Sequence, residues 1–257
     1  MKALTPITWF DTIDSTNSEA RRRAESAENG NIDKMSVYAA RFQTAGRGQR
    51  GNKWTSASGE NLTFSILLYP GKGGNPKVNA IGQFSLSIVS SLSVIDFLSS
   101  KNVQANIKWP NDIYVRNKKI CGMLIENSLS GTEVSSSIIG IGINLNQTSF
   151  SPELMNPTSL YLITGTRNEP ETALEEFLET FKENLCMLES EENFDTLRNR
   201  YLDRLYRYGK EESYHDCIND EDFKGTIKGI SEEGLLLMEM PDKSVRRFAF
   251  KELSYII

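Results

Sequence analysis

Apolar residues recur along this chain in two kinds of pattern. Short apolar runs are typical of buried strands, and they occur at 37–42, 61–69 and 135–144. Helices are predicted over roughly 17–28, 77–99, 174–188 and 194–208, the last three from apolar residues at helical spacing. Residues 113–115 and 119–127 flank a polar turn at 116–118, which predicts a hairpin.

The pattern changes near residue 211. Short strands are predicted at 225–230, 235–240 and 245–250, with turns at Gly234 and at Pro241-Asp242. This spacing predicts a small β module after a boundary at 209–213. The sequence therefore predicts two domains, 1–210 and 211–257.

Composition narrows the classes of partner. The 257 residues are 39% hydrophobic and 25% charged with a net charge of −5, which is typical of a soluble globular protein and argues against general nucleic-acid binding. No signal peptide is visible, and no run is expected to reach the roughly 18 apolar residues of a membrane span. Three scattered cysteines and a single histidine disfavour a disulfide framework, a structural zinc site and a His-based triad. We expect a cytoplasmic protein that binds neither DNA nor membranes.

One loop concentrates candidate chemistry, running Gly46-Arg47-Gly48-Gln49-Arg50-Gly51-Asn52-Lys53-Trp54. Glycines allow close approach to a ligand, arginines bind phosphate or carboxylate, and Trp54 offers a flat apolar face. The composition predicts a site for an anion that carries an aromatic ring, such as a nucleotide. The GxGxxG spelling is not a dinucleotide fingerprint, because a predicted strand follows where that motif requires a helix. The P-loop pattern is absent from the sequence.

Four further segments accompany the glycine loop: Asp14-Ser15-Thr16-Asn17, Lys108-Trp109-Pro110-Asn111-Asp112, 119–126 and 140–146. In this order and spacing the five segments resemble the biotin protein ligases over roughly residues 8–147. The resemblance implies an α+β fold, with a mixed β-sheet flanked by helices as in class II synthetases. The β module looks like the small C-terminal SH3-like β-barrel of that family.

The resemblance also implies a two-step reaction. The biotin carboxylate attacks the α-phosphate of ATP to give biotinyl-adenylate, and a lysine of a biotin carboxyl carrier protein then takes the biotinyl group. Such an enzyme must neutralise phosphate charge, align two anions and shield the adenylate from water. ATP, Mg²⁺ and biotin are the implied ligands.

The resemblance assigns residues to each task. Biotin would be bound by Ser15, Thr16, Asn17, Gln43, Arg47, Gly48, Gln49, Lys119, Gly122, Leu124 and Gly142. ATP would be bound by Arg47, Arg50, Trp54, Lys108, Asn111, Lys119 and Asn144. The catalytic residues would be Lys119, Arg47, Asp112 and Lys108, and Asp112 is also the candidate Mg²⁺ ligand. Gln49 departs from the family pattern, because many relatives carry arginine there, so its hold on the adenylate phosphate is expected to be weaker.

Ordinary structural roles compete with several of these assignments. Residues 16–19 fit a helix capping box, and Pro110-Asn111-Asp112 fits a plain turn. Lys119 could belong to a charged hairpin tip, and Trp54 could be a core aromatic.

Two other functions also compete. A lipoate ligase or octanoyltransferase would share this fold and acylate carrier lysines in the same way. A biotin-sensing repressor would need a helix-turn-helix domain before Ser15, for which this sequence leaves no room, so no operator binding is expected. A homodimer remains open at this point.

Overall fold

The computed structural model describes residues 5–26 and 35–256. A seven-stranded sheet contains β1 (Ile7–Ile13), β2 (Met35–Gln43), β3 (Leu62–Leu68), β4 (Asn106–Lys108), β5 (Asp112–Val115), β6 (Lys118–Ser130) and β7 (Glu133–Ile143). Its strand order is β1-β2-β3-β7-β6-β5-β4. Only the β1–β2 pair is parallel, so the sheet is mixed, as predicted.

Helices cover both faces of this sheet. They are α1 (Thr16–Ser26), α2 (Ser85–Ser100), α3 (Leu160–Thr164), α4 (Pro170–Cys186) and α5 (Glu191–Asp203). Every residue of β3 is buried, because alternate side chains meet different helices. Phe64 contacts Phe177 of α4 edge-on at 5.1 Å between ring centroids, whereas Leu67 belongs to the small apolar cluster beneath α1.

A second sheet follows the helices. It contains β8 (Glu211–Asp216), β9 (Glu221–Ile230), β10 (Leu236–Glu239), β11 (Val245–Phe248) and β12 (Leu253–Tyr255), in the order β11-β10-β9-β8-β12. All its pairs are antiparallel, and Phe223 stacks on Phe248 inside it. This architecture is consistent with the predicted SH3-like module. Its buried side chains continue into the main core, and the domain boundary at 210/211 stays a prediction.

Two helix boundaries differ from the prediction by five residues or more, and tertiary contacts explain both. The helix expected from residue 77 begins at Ser85 after a 3-10 turn, because Val78 and Ala80 bond instead to the backbone of the β6–β7 hairpin. The helix expected to reach residue 208 ends at Asp203, because the next residues pair with β4 through Ile107. Strands β1, β4, β8 and β12 were not predicted. The predicted α1 was placed about one residue late, and residues 27 and 28 lie outside the described ranges.

The most apolar helical segment corrects the expectation that no run in this chain is long and apolar enough to span a membrane. Ile81–Ser100 is long and apolar enough to cross a membrane by length and composition, with a mean hydropathy of 1.5. However, 67% of that stretch is buried inside the protein. Its serine hydroxyls bond back to the helix, for example from Ser90 to the Leu86 carbonyl oxygen at 2.7 Å. A core helix satisfies the same criteria as a membrane span.

Candidate active site

A cleft of about 270 Å³ opens where β6 and β7 meet the glycine loop, the Pro110 turn and the second sheet. The predicted site residues that line it are Ser15, Thr16, Asn17, Gln43, Arg47, Gly48, Gln49, Trp54, Lys108, Asn111, Asp112, Lys119, Gly122, Leu124 and Gly142. Among the predicted residues whose side chains are described, one is not placed there. Asn144 is buried, and its amide donates to the Thr158 carbonyl oxygen at 2.9 Å. Arg50 lies in a 3-10 turn (Gln49–Gly51), but its side chain is outside the described part of the chain.

Glycines form the floor of the cleft. A Cβ on Gly140 would lie 2.0 Å from Asn17 Oδ1, and a Cβ on Gly142 would lie 2.3 Å from Trp54 Cε2. Both positions must therefore lack a side chain for Asn17 and Trp54 to lie where they do. The indole of Trp54 covers Gly142, and its Nε1 has no hydrogen-bond partner among the described residues. Trp54 thus contacts the site directly.

Short polar side chains converge at the start of α1. Gln43 Oε1 accepts from the Thr16 backbone amide at 2.7 Å and from the Thr16 hydroxyl at 3.1 Å. The Ser65 hydroxyl donates to Asn17 Oδ1 at 2.6 Å. The expected capping box does not form, because the Glu19 carboxylate pairs with two arginines of its own helix. These side chains present a rigid set of donors and acceptors to the cleft.

Glu126 joins this polar corner to the glycine loop. One carboxylate oxygen accepts from Asn17 Nδ2 at 2.9 Å, and both oxygens accept from the Arg47 guanidinium at 3.1 and 2.9 Å. Arg21 adds an ion pair at 2.6 Å. Burial raises the pKa of Glu126, but the hydrogen bonds from Asn17 and Arg47 outweigh it, so the pKa lies below its ordinary value. The carboxylate is therefore charged at neutral pH.

Glu126 is the last residue of the segment 119–126, but it was not predicted as a site residue. Period-two alternation could have identified it, because residues 122, 124 and 126 share one face of β6. Gly122 and Leu124 were already expected to face the ligand, and both line the cleft. A carboxylate two residues farther along that face is positioned to meet the predicted arginine.

Lys119 lies on the floor of the cleft, at the start of β6. Its Nζ is 2.7 Å from Asp112 Oδ1 and 6.0 Å from the centroid of the Trp54 ring. The Lys119 backbone is fixed on both sides by the segment 156–158. Asn111, next to Asp112, bonds to the Met123 backbone with both its own backbone carbonyl oxygen and its side-chain amide. The hairpin therefore holds a cation and a carboxylate in the cleft rather than at an exposed tip.

Lys108 faces the cleft from the Pro110 turn. Its ammonium lies 4.9 Å from the ring centroid of Tyr114 and 5.0 Å from that of Tyr255. Burial lowers the pKa of Lys108, opposed by the charge of Asp112, and burial raises the pKa of Tyr114 to about 12. The next residue, Trp109, donates from Nε1 to the Gly234 carbonyl oxygen at 3.0 Å. This turn is thereby attached to the second sheet.

The second sheet supplies cleft residues that sequence reasoning did not find. They are Phe250, Lys251, Leu253, Ser254 and Tyr255. Their contribution depends on how the second sheet packs against the Pro110 turn, and no local pattern in 245–257 encodes that packing.

The residues around Asp112 indicate how it could bind the predicted Mg²⁺. No group of three or more His, Cys, Asp or Glu side chains that could hold a metal occurs within 5–26 and 35–256. Among the described residues that line the cleft, Asp112 is the only carboxylate. One carboxylate suits Mg²⁺ only where phosphates and water supply the remaining ligands.

The cleft combines a glycine floor with cations, an arrangement that suits anionic ligands. Cations approach that floor from three elements, and a corner of short polar side chains adjoins them. The chain belongs to the biotin/lipoate A/B protein ligase family, which residues 9–144 match.

Individual relatives agree with this membership. The biotin–[acetyl-CoA-carboxylase] ligase of Paracoccus denitrificans is 31% identical over 89% of this chain and 92% of its own length. The bifunctional ligase/repressor BirA of Bacillus spizizenii is 30% identical over 91% of this chain and 69% of its own. A biotin protein ligase from Aquifex aeolicus, solved with biotin and ATP, superposes with a TM-score of 0.75 at 30% identity over 98% of both chains.

Proposed function

We propose that this protein is an ATP-dependent biotin ligase that forms biotinyl-adenylate and transfers biotin to a lysine of a biotin carboxyl carrier protein. One observation carries the proposal. The residues predicted to bind biotin line one cleft together with Arg47, Lys108 and Lys119, which were predicted to bind phosphate. Its relatives that are biotin ligases support the same activity.

The first step joins two anions. A biotin carboxylate oxygen attacks the α-phosphorus of ATP, a P–O bond forms, and the bond to pyrophosphate breaks. Lys119 neutralises charge where the carboxylate and the α-phosphate meet, so its ion pair with Asp112 opens or is shared as ligands enter. Arg47 and Lys108 bind the phosphates from opposite sides. Mg²⁺ held by the phosphates and by Asp112 would neutralise further charge there.

The second step makes an amide. The amine of the carrier lysine attacks the acyl carbon of the adenylate, a C–N bond forms, AMP leaves, and the amine loses a proton. Until that lysine arrives, the glycine loop and Trp54 keep water away from the mixed anhydride. Gly48 N donates to the Asn52 carbonyl oxygen at 2.7 Å, and Trp54 N donates to that of Gly46 at 3.0 Å, so the loop is internally braced for this task. Gln49 Oε1 is buried without a partner among the described residues.

The decisive experiment compares acyl donors. Purified protein is incubated with ATP, Mg²⁺ and an apo carrier domain, together with labelled biotin or labelled lipoate. Biotin incorporation that requires ATP is the expected result. Transfer of lipoate without transfer of biotin would assign the chain to the lipoate branch of the family.

A further inference from the structure

The ammonium of Lys108 is held by rings rather than by a carboxylate. Its centroid distances of 4.9 Å to Tyr114 and 5.0 Å to Tyr255 are within cation–π range, and its Nζ also lies 3.3 Å from the Tyr114 hydroxyl. Among the described residues Lys108 forms no ion pair within 4 Å. The other two described cations implicated in charge neutralisation, Arg47 and Lys119, each pair with a carboxylate. Lys108 thus keeps its charge available to an incoming anion.

Tyr255 comes from a different sheet than Lys108 and Tyr114. It lies on β12, whose pairing with β8 sets Tyr255 opposite Tyr214. Its ring contacts Tyr214 at 5.3 Å and Tyr206 at 6.0 Å between centroids, so neighbouring aromatics fix its orientation. The second sheet therefore determines where this ring meets the ammonium.

The face of the Tyr255 ring, not its hydroxyl, makes this contact. The Tyr255 hydroxyl is buried and has no hydrogen-bond partner among the described residues. Burying an unpaired hydroxyl costs free energy, so it adds nothing to the hold on Lys108. A phenylalanine would retain the useful part of the side chain, whereas an aliphatic residue would lose it.

We propose that Tyr255 is a positioning residue, through which the C-terminal sheet holds the Lys108 ammonium in the cleft for a nucleotide phosphate. The inference rests on the proposed function for the identity of the anion as ATP. It assigns the second sheet a specific task, because Trp109 attaches the Lys108 turn to that sheet and Tyr255 aims the cation.

Three variants in the full-length protein test this role. Tyr255→Leu removes the ring, Tyr255→Phe keeps it, and Phe223→Leu removes a ring of the same sheet that does not contact Lys108. Pyrophosphate release gives kcat and KM for ATP and for biotin. Loss of one partly buried cation–π contact predicts a KM for ATP raised about 5- to 20-fold in Tyr255→Leu, with KM for biotin within about twofold. Tyr255→Phe and Phe223→Leu should stay within about twofold of the wild type in both.

A second readout separates positioning from folding. The alkaline limb of kcat/KM for ATP reports the free enzyme, and in Tyr255→Leu it should move to lower pH, because the charged Lys108 ammonium loses the ring that stabilises it. Should Tyr255→Leu fail to fold, Tyr255→Met, which has a flexible side chain without a ring, replaces it. An unchanged KM for ATP in a folded ring-less variant, or equal impairment in Tyr255→Phe, would overturn the inference.

The two proposals fail in different ways. Wild-type protein that binds ATP but never biotinylates a carrier would refute the proposed function. In that case, calorimetric titration of ATP into the same variants still tests Tyr255. ATP affinity that is equal in the wild type and Tyr255→Leu would refute the positioning role alone.

Discussion

The two side walls of the cleft hold their cations by different physics. On the glycine-loop wall, Glu126 binds Arg47 through two hydrogen bonds, with 41% of the Arg47 side chain exposed. On the opposite wall, the faces of Tyr114 and Tyr255 contact Lys108. A ligand carboxylate or phosphate competes with Glu126 for Arg47. Competition is weaker at Lys108, because among the described residues only the neutral Tyr114 hydroxyl, at 3.3 Å, accepts a hydrogen bond from its ammonium.

The two cations therefore differ in how readily they can be released to a ligand. A partly exposed ion pair contributes little to stability, so the loop can release Arg47 to a ligand at small cost. The aromatic wall is built into the contact between the two sheets, through Tyr255 and Trp109. Under the proposed function, a phosphate would meet Lys108 without breaking an ion pair, whereas Arg47 would exchange Glu126 for the ligand.

The largest effect is expected at Lys119, between the two walls. If neither wall alone can neutralise the charge where the two anions meet, Lys119→Ala should slow pyrophosphate release about 100- to 1,000-fold. Its thermal midpoint should shift by no more than about 3 °C, because a partly exposed cation contributes little to a core. Exposed Lys118→Ala is the matched control. Pyrophosphate release at the wild-type rate would show that the walls suffice without Lys119.

A smaller effect is expected from substituting Glu126, the carboxylate that binds Arg47 on the glycine-loop wall. Glu126→Gln removes the charge that binds Arg47 and Asn17, and a charge-assisted hydrogen bond is worth about 1.5–3 kcal/mol. Removing this competitor of the ligand for Arg47 does not help biotin, because Asn17 loses the carboxylate that orients it, so the KM for biotin should rise about tenfold, with a smaller change in the KM for ATP. Steady-state kinetics against Glu133→Gln, an exposed acid on the same hairpin, provides the comparison. Equal changes in both constants would remove the distinction between the walls.

The smallest effect is expected from Lys108→Arg, which exchanges one cation for another. Because burial lowers the pKa of Lys108, the amine becomes neutral at a lower pH than an ordinary lysine and phosphate binding weakens as pH rises through that value. Arginine does not deprotonate in proteins, so the variant should lose this alkaline limb of kcat/KM for ATP. Near pH 7 the change should stay within about threefold. A limb that persists unchanged in Lys108→Arg would belong to another group.

The sequence was most informative where short segments carry both structure and chemistry. Ser15–Asn17, the glycine loop and the Pro110 turn could be located from their residues, and the structure brings them into one cleft. Strands buried on both faces, such as β3, were visible as segments rich in apolar residues. The roles of these site segments toward biotin and ATP stay predictions until ligand binding is measured.

Features that depend on distant partners escaped prediction. The start of α2 is set by the pairing of 77–80 with a hairpin more than fifty residues later, which no local propensity encodes. Tyr255 meets Lys108 only because two sheets dock through Trp109. Glu126 also escaped prediction, although the alternation of β6 would have been sufficient to find it.

The indole of Trp54 over Gly142 constrains how this sequence can evolve. Because the ring occupies the volume that a Cβ at residue 142 would need, a side chain at 142 can be accommodated only if residue 54 shrinks or the whole loop moves. Substitutions at positions 54 and 142 are thus expected to depend on each other during evolution. A single substitution at 142 disturbs a loop remote in sequence, while a compensating change at 54 would restore the fit and alter what the loop presents to the nucleotide.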